Sequence, residues 1–382
     1  MPVPACRKSL YVDKSGLISF INKTLGTSAK LTCVSRPRRF GKSYAAQMLC
    51  AYYDKSCASE ELFDDLEIAK DASYKKHLNQ YDVVYLDITW FISICENKKE
   101  IVKYLQEQVI QELCEKYPSA AGTTSLPLAL SKASHMTGSK FIIIIDEWDA
   151  LFRETKDDLE LQKEYIQLLR GLFKSSQTNK MIEAAYMTGI LPIKKYGTQS
   201  TLTDFREYTM LNPETLGTYV GFTEPEVKNL CRKYNMDFEE ARRWYDGYSF
   251  LKVKSVYNPN AVIRAMENGH YGTYWTQTET YESLKIYIDI DEDSLKESIV
   301  AMLGKHACPV DVMTFQNDMT SIQSKDDVLT LLVHLGYLAY DADTQTVRIP
   351  NEEIRQEFIR ALKNGRHTEI AKLILESDQL LQ

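Results

Sequence analysis

The sequence holds 382 residues, of which 44% are hydrophobic and 26% charged, with 24 tyrosines. That length exceeds what one hydrophobic core usually organises, and the composition excludes a disordered or low-complexity chain. A net charge of −7 at pH 7 argues against a surface that coats nucleic acid throughout, while leaving room for a local basic patch.

The amino-terminal MPVPACRKSLYVDK carries no apolar run of the secretory kind. The most apolar stretch, residues 141–145, is far shorter than the ~20 residues of a membrane span. The eight cysteines contain no CxxC pair and no zinc-ligand spacing. Together these features predict a cytoplasmic protein with reduced thiols.

Between residues 29 and 211, short β-branched runs alternate with longer amphipathic segments. This is the pattern of parallel strands joined by crossover helices, an α/β fold. Strands are expected over 30–35, 83–88, 141–146, 184–189 and 207–211, and their near-continuous hydrophobicity suits a sheet covered on both faces. Helices are expected over 42–53, 99–116 and 158–176, the second with Ile101, Tyr104, Val109, Ile110 and Leu113 on its apolar face.

From Asn212 the strand pattern fades. Thr223, with Glu226 three residues on, forms a capping-box signature that opens a helical region read as a lid. After Asp289 two helices precede two short strands around the Asp-rich turn 341–344, an order that suggests a winged-helix-like unit. Residues 352–382 are expected to be helical and stop without a clear cap, as in a truncated chain. The expected domains are 1–215, 216–289 and 290–382.

The segment SRPRRFGKS at 35–43 joins the first strand to the first long helix. Phosphate binding needs a tight loop of inward N–H groups followed by a lysine and a hydroxyl at a helix start. Gly41 would let the backbone approach the β-phosphate, Lys42 would bridge the β- and γ-phosphates, and Ser43 would hold Mg²⁺. The motif departs from the usual GxxxxGK[ST] in having Arg36 in place of the first glycine. Pro37 stiffens the loop start and removes one N–H, while Arg38 and Arg39 add positive charge. With Phe40 and Tyr44 these residues make up the expected nucleotide contact. The alternative is a chance GKS tripeptide at a helix start, against which the strand before and the helix after both count.

The run FIIIIDEWDAL places Asp146 and Glu147 at the carboxyl end of the most hydrophobic strand, where ligands sit in open α/β sheets. Asp146 is assigned to the Mg²⁺ shell with Ser43, and Glu147 to polarising the water that attacks the γ-phosphate. A plain pair of solvated acids explains a buried isoleucine strand ending in charge poorly. Asp149 reads as a helix cap or the partner of a loop arginine rather than a metal ligand. Thr188, at the end of the next strand, is expected to hydrogen-bond the γ-phosphate or the lytic water, with a Thr-Gly turn as the bland alternative. Lys194, Lys195 and Arg206 are candidates for stabilising transition-state charge, Arg206 foremost. WYDGYSF at 244–250 is read as a packed helix end with Gly247 as its cap, against an aromatic stacking surface. YVDKSGLI at 11–18 is read as a strap across the domain, with holding adenine near the site as the alternative. The six histidines stand apart from any nucleophile context.

The ordered set YVDKSGLI, SRPRRFGKS, DEWDAL, TGILPI, GFTEPEV, WYDGYSF, YNPNAV, the pair Tyr274–Trp275, LLVHLGYL and IPNEE resembles the bacterial AAA-ATPase-like family over residues 10–360. The resemblance implies that RPRRFGK[ST] is the ordinary phosphate loop there. It also implies a P-loop NTPase core of the RecA/AAA type followed by a helical and winged-helix-like region. Members commonly carry a C-terminal PD-(D/E)XK nuclease-like domain, and no such motif follows residue 350.

The leading expectation is an ATPase using ATP and Mg²⁺ to move its C-terminal region, possible effectors being a nuclease-like or other protein partner, or the chain itself by self-association. A slowly hydrolysing nucleotide switch or scaffold is the second reading. A DNA-binding regulator ranks last, because residues 291–350 are acid-rich.

Overall fold

The computed structural model describes residues 10–155, 157–193, 195–196, 199–200, 202, 204–250, 253–275, 293–313, 315 and 324–364. By its contacts the chain divides into one unit of Met1–Ser35 and Lys42–Thr209, and a second of Arg36–Gly41 and Met210–Gln382.

The first unit is built on a parallel sheet of β1 (Leu31–Ser35), β2 (Asp82–Asp87), β3 (Phe141–Asp146), β4 (Ile182–Gly189) and β7 (Arg206–Tyr208) in the order β2-β3-β4-β1-β7. A separate two-stranded ribbon pairs β5 (Lys195–Tyr196) with β6 (Gln199–Ser200). Every residue of β1 and β3 is buried, as their unbroken apolar runs require of strands covered on both faces. The register aligns the carboxyl ends, setting Asp87 opposite Asp146 and Ser35 opposite Gly189.

The helix Lys42–Tyr53 follows β1, and the helices Ile101–Lys116, Leu126–Thr137 and Leu159–Phe173 carry much of the core. On Ile101–Lys116 the buried stripe is Ile101, Val102, Leu105, Ile110 and Leu113, with Tyr104 and Val109 at its margin. The strap is a loop and the helix Gly16–Asn22, pinned where Asp13 accepts from Glu67 N (2.7 Å) and Ser15 Oγ accepts from Ile68 N (3.0 Å). Arg206 opens β7 opposite Thr32, near the amino end of β1, so it stands at the opposite sheet edge from Ser35 and Asp146.

The second unit is less purely helical than the lid expected from residue 216. An antiparallel sheet of β8 (Phe222–Thr223), β9 (Tyr248–Phe250) and β10 (Val253–Tyr257) is interleaved with helices Glu224–Tyr234, Phe238–Tyr245 and Pro259–Asn268. The capping box at Thr223 and Glu226 is formed. Gly247 follows Asp246, the C-cap of the helix Phe238–Tyr245, at the C′ position expected of it. Its φ is +124°, and a side chain there would collide with the carbonyl of Pro350. Further on, helices Asp293–Leu303 and Lys325–Leu335 accompany β11 (Cys308–Pro309), β12 (Ala339–Asp341) and β13 (Thr346–Arg348). The expected hairpin turn is closed by Asp341 Oδ1, which accepts from the amides of Asp343 and Thr344. The helix Glu352–Asn364 follows, and the rest of the expected terminal helix lies outside the described residues. Among the described residues no helix is long and apolar enough to cross a membrane.

Candidate functional site

In the first unit, the aligned strand ends gather the acidic pair beside the start of the helix Lys42–Tyr53. Lys42 is 4% exposed, and its Nζ lies 3.2 Å from Glu147 Oε1. An ammonium this buried is unfavourable without a counter-charge, and Glu147 supplies it. The other oxygen of Glu147 accepts from Arg153 at 2.6 Å. Glu147 sits at φ +51°, a left-handed conformation costing a non-glycine residue roughly 1–2 kcal/mol. The Glu147 amide, donating to Thr188 Oγ1, helps hold this conformation.

Asp146 is buried and engaged from two sides. The Thr188 hydroxyl donates to its Oδ1, and the Tyr85 hydroxyl donates to its Oδ2 at 3.3 Å. Thr188 Oγ1 also accepts from Glu147 N, and its carbonyl accepts from Trp148 N. Thr188 therefore orients the acidic pair directly.

Asp149 heads the helix Ala150–Glu154 without capping it through its side chain. Its carboxylate accepts from Ile190 N, from Leu191 N (2.9 Å) and from Arg153 Nε (3.1 Å). Its arginine partner, Arg153, stands in the helix Ala150–Glu154 and not in a loop as expected. Arg153 thus clamps Glu147 and Asp149 together. Burial opposes its charge, the two carboxylates outweigh that, and the guanidinium is held above its ordinary pKa.

Three members of this cluster, Arg153, Asp87 and Tyr85, carry no motif of their own in the sequence. The i,i+4 spacing of Asp149 and Arg153 was the available signal for the clamp. Asp87, at the end of β2, caps the helix Ile88–Ile94 through Trp90 N and stands in register with Asp146. Burial pushes its carboxyl up, and the charges of Asp146 and Glu147 add to the shift.

The residues 36–41 pack within the second unit. Arg36 is fully buried, its guanidinium 5.1 Å from the Phe250 ring centroid. Phe40 is likewise buried, edge-on to Tyr248. The expectation that these side chains face a ligand is corrected, because packing consumes their surfaces. Arg39 adopts φ +69° and donates to Asn260 and to the Tyr274 carbonyl. Gly41, at φ +88°, has the backbone freedom its place in the loop requires. Arg38 and Pro37 belong to the same loop, while Tyr44, after Ser43, is 66% exposed. Arg206 is not brought to the cluster, and Lys194 lies outside the described residues.

No curated protein is significantly similar to the chain. Among solved structures, the ORC2 protein of Aeropyrum pernix in ADPNP–ADP complexes is 10% identical, with 98% of each chain covered and a TM-score of 0.40. AMPPCP-bound DnaA from Aquifex aeolicus is 10% identical, with 97% of this chain and 94% of that chain covered and a TM-score of 0.31. A family description, "Predicted AAA-ATPase", matches residues 6–198, which is half of the sequence. The chain belongs to this AAA-ATPase-like family.

Proposed function

We propose that the chain binds ATP with Mg²⁺ on the segment Gly41–Lys42–Ser43 and hydrolyses it, using turnover to change the conformation of its second unit and so act on a protein partner. The observation that carries this reading is the pairing of Lys42 with Glu147 beside Asp146 and Thr188 at the carboxyl edge of the sheet. A buried ammonium held by a carboxylate is ready to exchange that partner for a phosphate. Lys42 then contacts the β- and γ-phosphates, and Glu147 orients and polarises the attacking water.

The donors suit the metal. The Ser43 hydroxyl and the Asp146 carboxylate are hard oxygen ligands, and among the described residues no group of three or more His, Cys, Asp or Glu forms a metal cage. Mg²⁺ typically takes one or two protein oxygens and completes its shell with phosphate and water. Bound there, it supplies neutralisation of phosphate charge. Thr188 and Tyr85 hold the Asp146 carboxylate in place for it.

One observation favours the second reading, a slowly turning nucleotide switch. Arg153 occupies the second oxygen of Glu147 at 2.6 Å, which leaves less of that carboxylate to orient a water. Phosphate release with and without Mg²⁺ separates the two. The ATPase reading expects Mg²⁺-dependent turnover that Glu147→Gln lowers by about 10² or more with ATP affinity retained. Equal turnover in Glu147→Gln contradicts the role given to Glu147, and tight ATP binding with negligible wild-type turnover selects the switch.

A further inference from the structure

Motifs of the carboxyl-terminal half that the site leaves unexplained converge on one short segment. Phe250 lies under Arg36, Tyr248 packs edge-on to Phe40, and the Pro37 ring lies against Gly336. Arg39 Nη1 donates to Asn260 Oδ1 at 3.0 Å and to the Tyr274 carbonyl at 3.1 Å. The Tyr274 amide in turn donates to Glu353 at 2.6 Å, so that carbonyl is fixed from behind. These partners come from WYDGYSF, YNPNAV, the Tyr274–Trp275 pair, LLVHLGYL and IPNEE. All lie in the second unit with residues 36–41.

Arg39 is the strained member of the loop. Its φ of +69° is disfavoured for a residue with a Cβ, and only an anchored side chain keeps it there. Asn260 is well placed to be that anchor. It stands in the first turn of the helix Pro259–Asn268, which Asn258 caps by accepting from the amides of Asn260 and Ala261. Its own side-chain oxygen is thereby aimed from a rigid element.

We propose that Asn260 is a positioning residue for nucleotide binding, acting through Arg39 to hold the phosphate loop in its binding conformation. This rests on the reading above that the loop receives phosphates. Asn260 touches no nucleotide and contributes nothing to the chemical step. Its removal weakens affinity and leaves turnover at saturation unchanged.

The test is a double-mutant cycle on the full chain, with equilibrium binding of ATP as the readout. Asn260→Ala is expected to weaken ATP binding roughly tenfold, equal to about 1.4 kcal/mol. Asn260→Asp, which keeps the accepting oxygen, is expected to restore affinity to within about threefold of the wild type. In an Arg39→Ala background, Asn260→Ala is expected to add nothing, because the cycle isolates the pair. A full additional loss in that background overturns the inference, as does wild-type affinity in Asn260→Ala while Lys42→Ala has lost binding. Absence of ATP binding by the wild type overturns this inference together with the proposed function.

Discussion

Lys42 Nζ lies 3.2 Å from Glu147 Oε1, the lysine side chain 3% exposed and the glutamate 21%. Glu147 also pairs with a second cation, Arg153. A phosphate that takes Lys42 therefore leaves Glu147 still oriented by Arg153. The site changes partners without leaving a buried charge unpaired.

Asp149 is the structural hub beneath this exchange. It accepts from Ile190 N, Leu191 N and Arg153, at 1% exposure. Asp149→Ala strands buried donors and is expected to destabilise the first unit by about 3 kcal/mol. Urea unfolding followed by circular dichroism checks this, and a loss below about 1 kcal/mol contradicts the hub role.

Two buried groups of the second unit set opposite pH limits. Burial pushes Glu353 up to about 8, with Glu357 adding to it and the Tyr274 and Trp275 amides and Arg39 opposing. Between pH 4.5 and about 8 the folded chain keeps a proton that the unfolded chain releases, so stability falls as pH rises through that window. His334 is pushed down to about 3 by burial and by Arg36. Between about pH 3 and 6.5 the unfolded chain binds a proton the folded chain refuses, so stability falls as pH drops. Glu353→Gln is expected to flatten the decline on the alkaline side only. Melting curves of wild type and variant that superimpose from pH 5 to 8 contradict this.

Gly247 answers to geometry alone. At φ +124° and against the Pro350 carbonyl, Gly247→Ala meets an unfavourable backbone and a clash together. A loss of at least about 2 kcal/mol is expected. Thermal unfolding equal to the wild type contradicts the close approach.

How much of this was legible in the sequence depended on local signal. The strand Phe141–Asp146 and the helix Lys42–Tyr53 fall where they were read, because a buried apolar run and a strand-loop-helix order are local patterns. The acidic pair was legible for the same reason, as charge ending a buried strand. β7 is three residues long, so which end of it Arg206 occupies depends on pairing with β1, which no local pattern encodes. The sheet β8-β10-β9 was missed because its strands are short and two helices separate β8 from the hairpin of β9 and β10. The burial of Arg36 was invisible because an arginine in a loop ordinarily faces water, whereas here it lies over Phe250, more than 200 residues on.

If Lys42 exchanges Glu147 for phosphate, equilibrium ATP binding to wild type and Lys42→Ala reads that exchange. Glu147 keeps Arg153 in the variant, so the fold is expected to persist, as a wild-type circular dichroism spectrum checks. Measurable ATP affinity is expected in the wild type, with a loss of about 100-fold or more in Lys42→Ala, the worth of a buried charge-assisted contact to phosphate. ATP affinity undiminished in a folded Lys42→Ala contradicts that exchange.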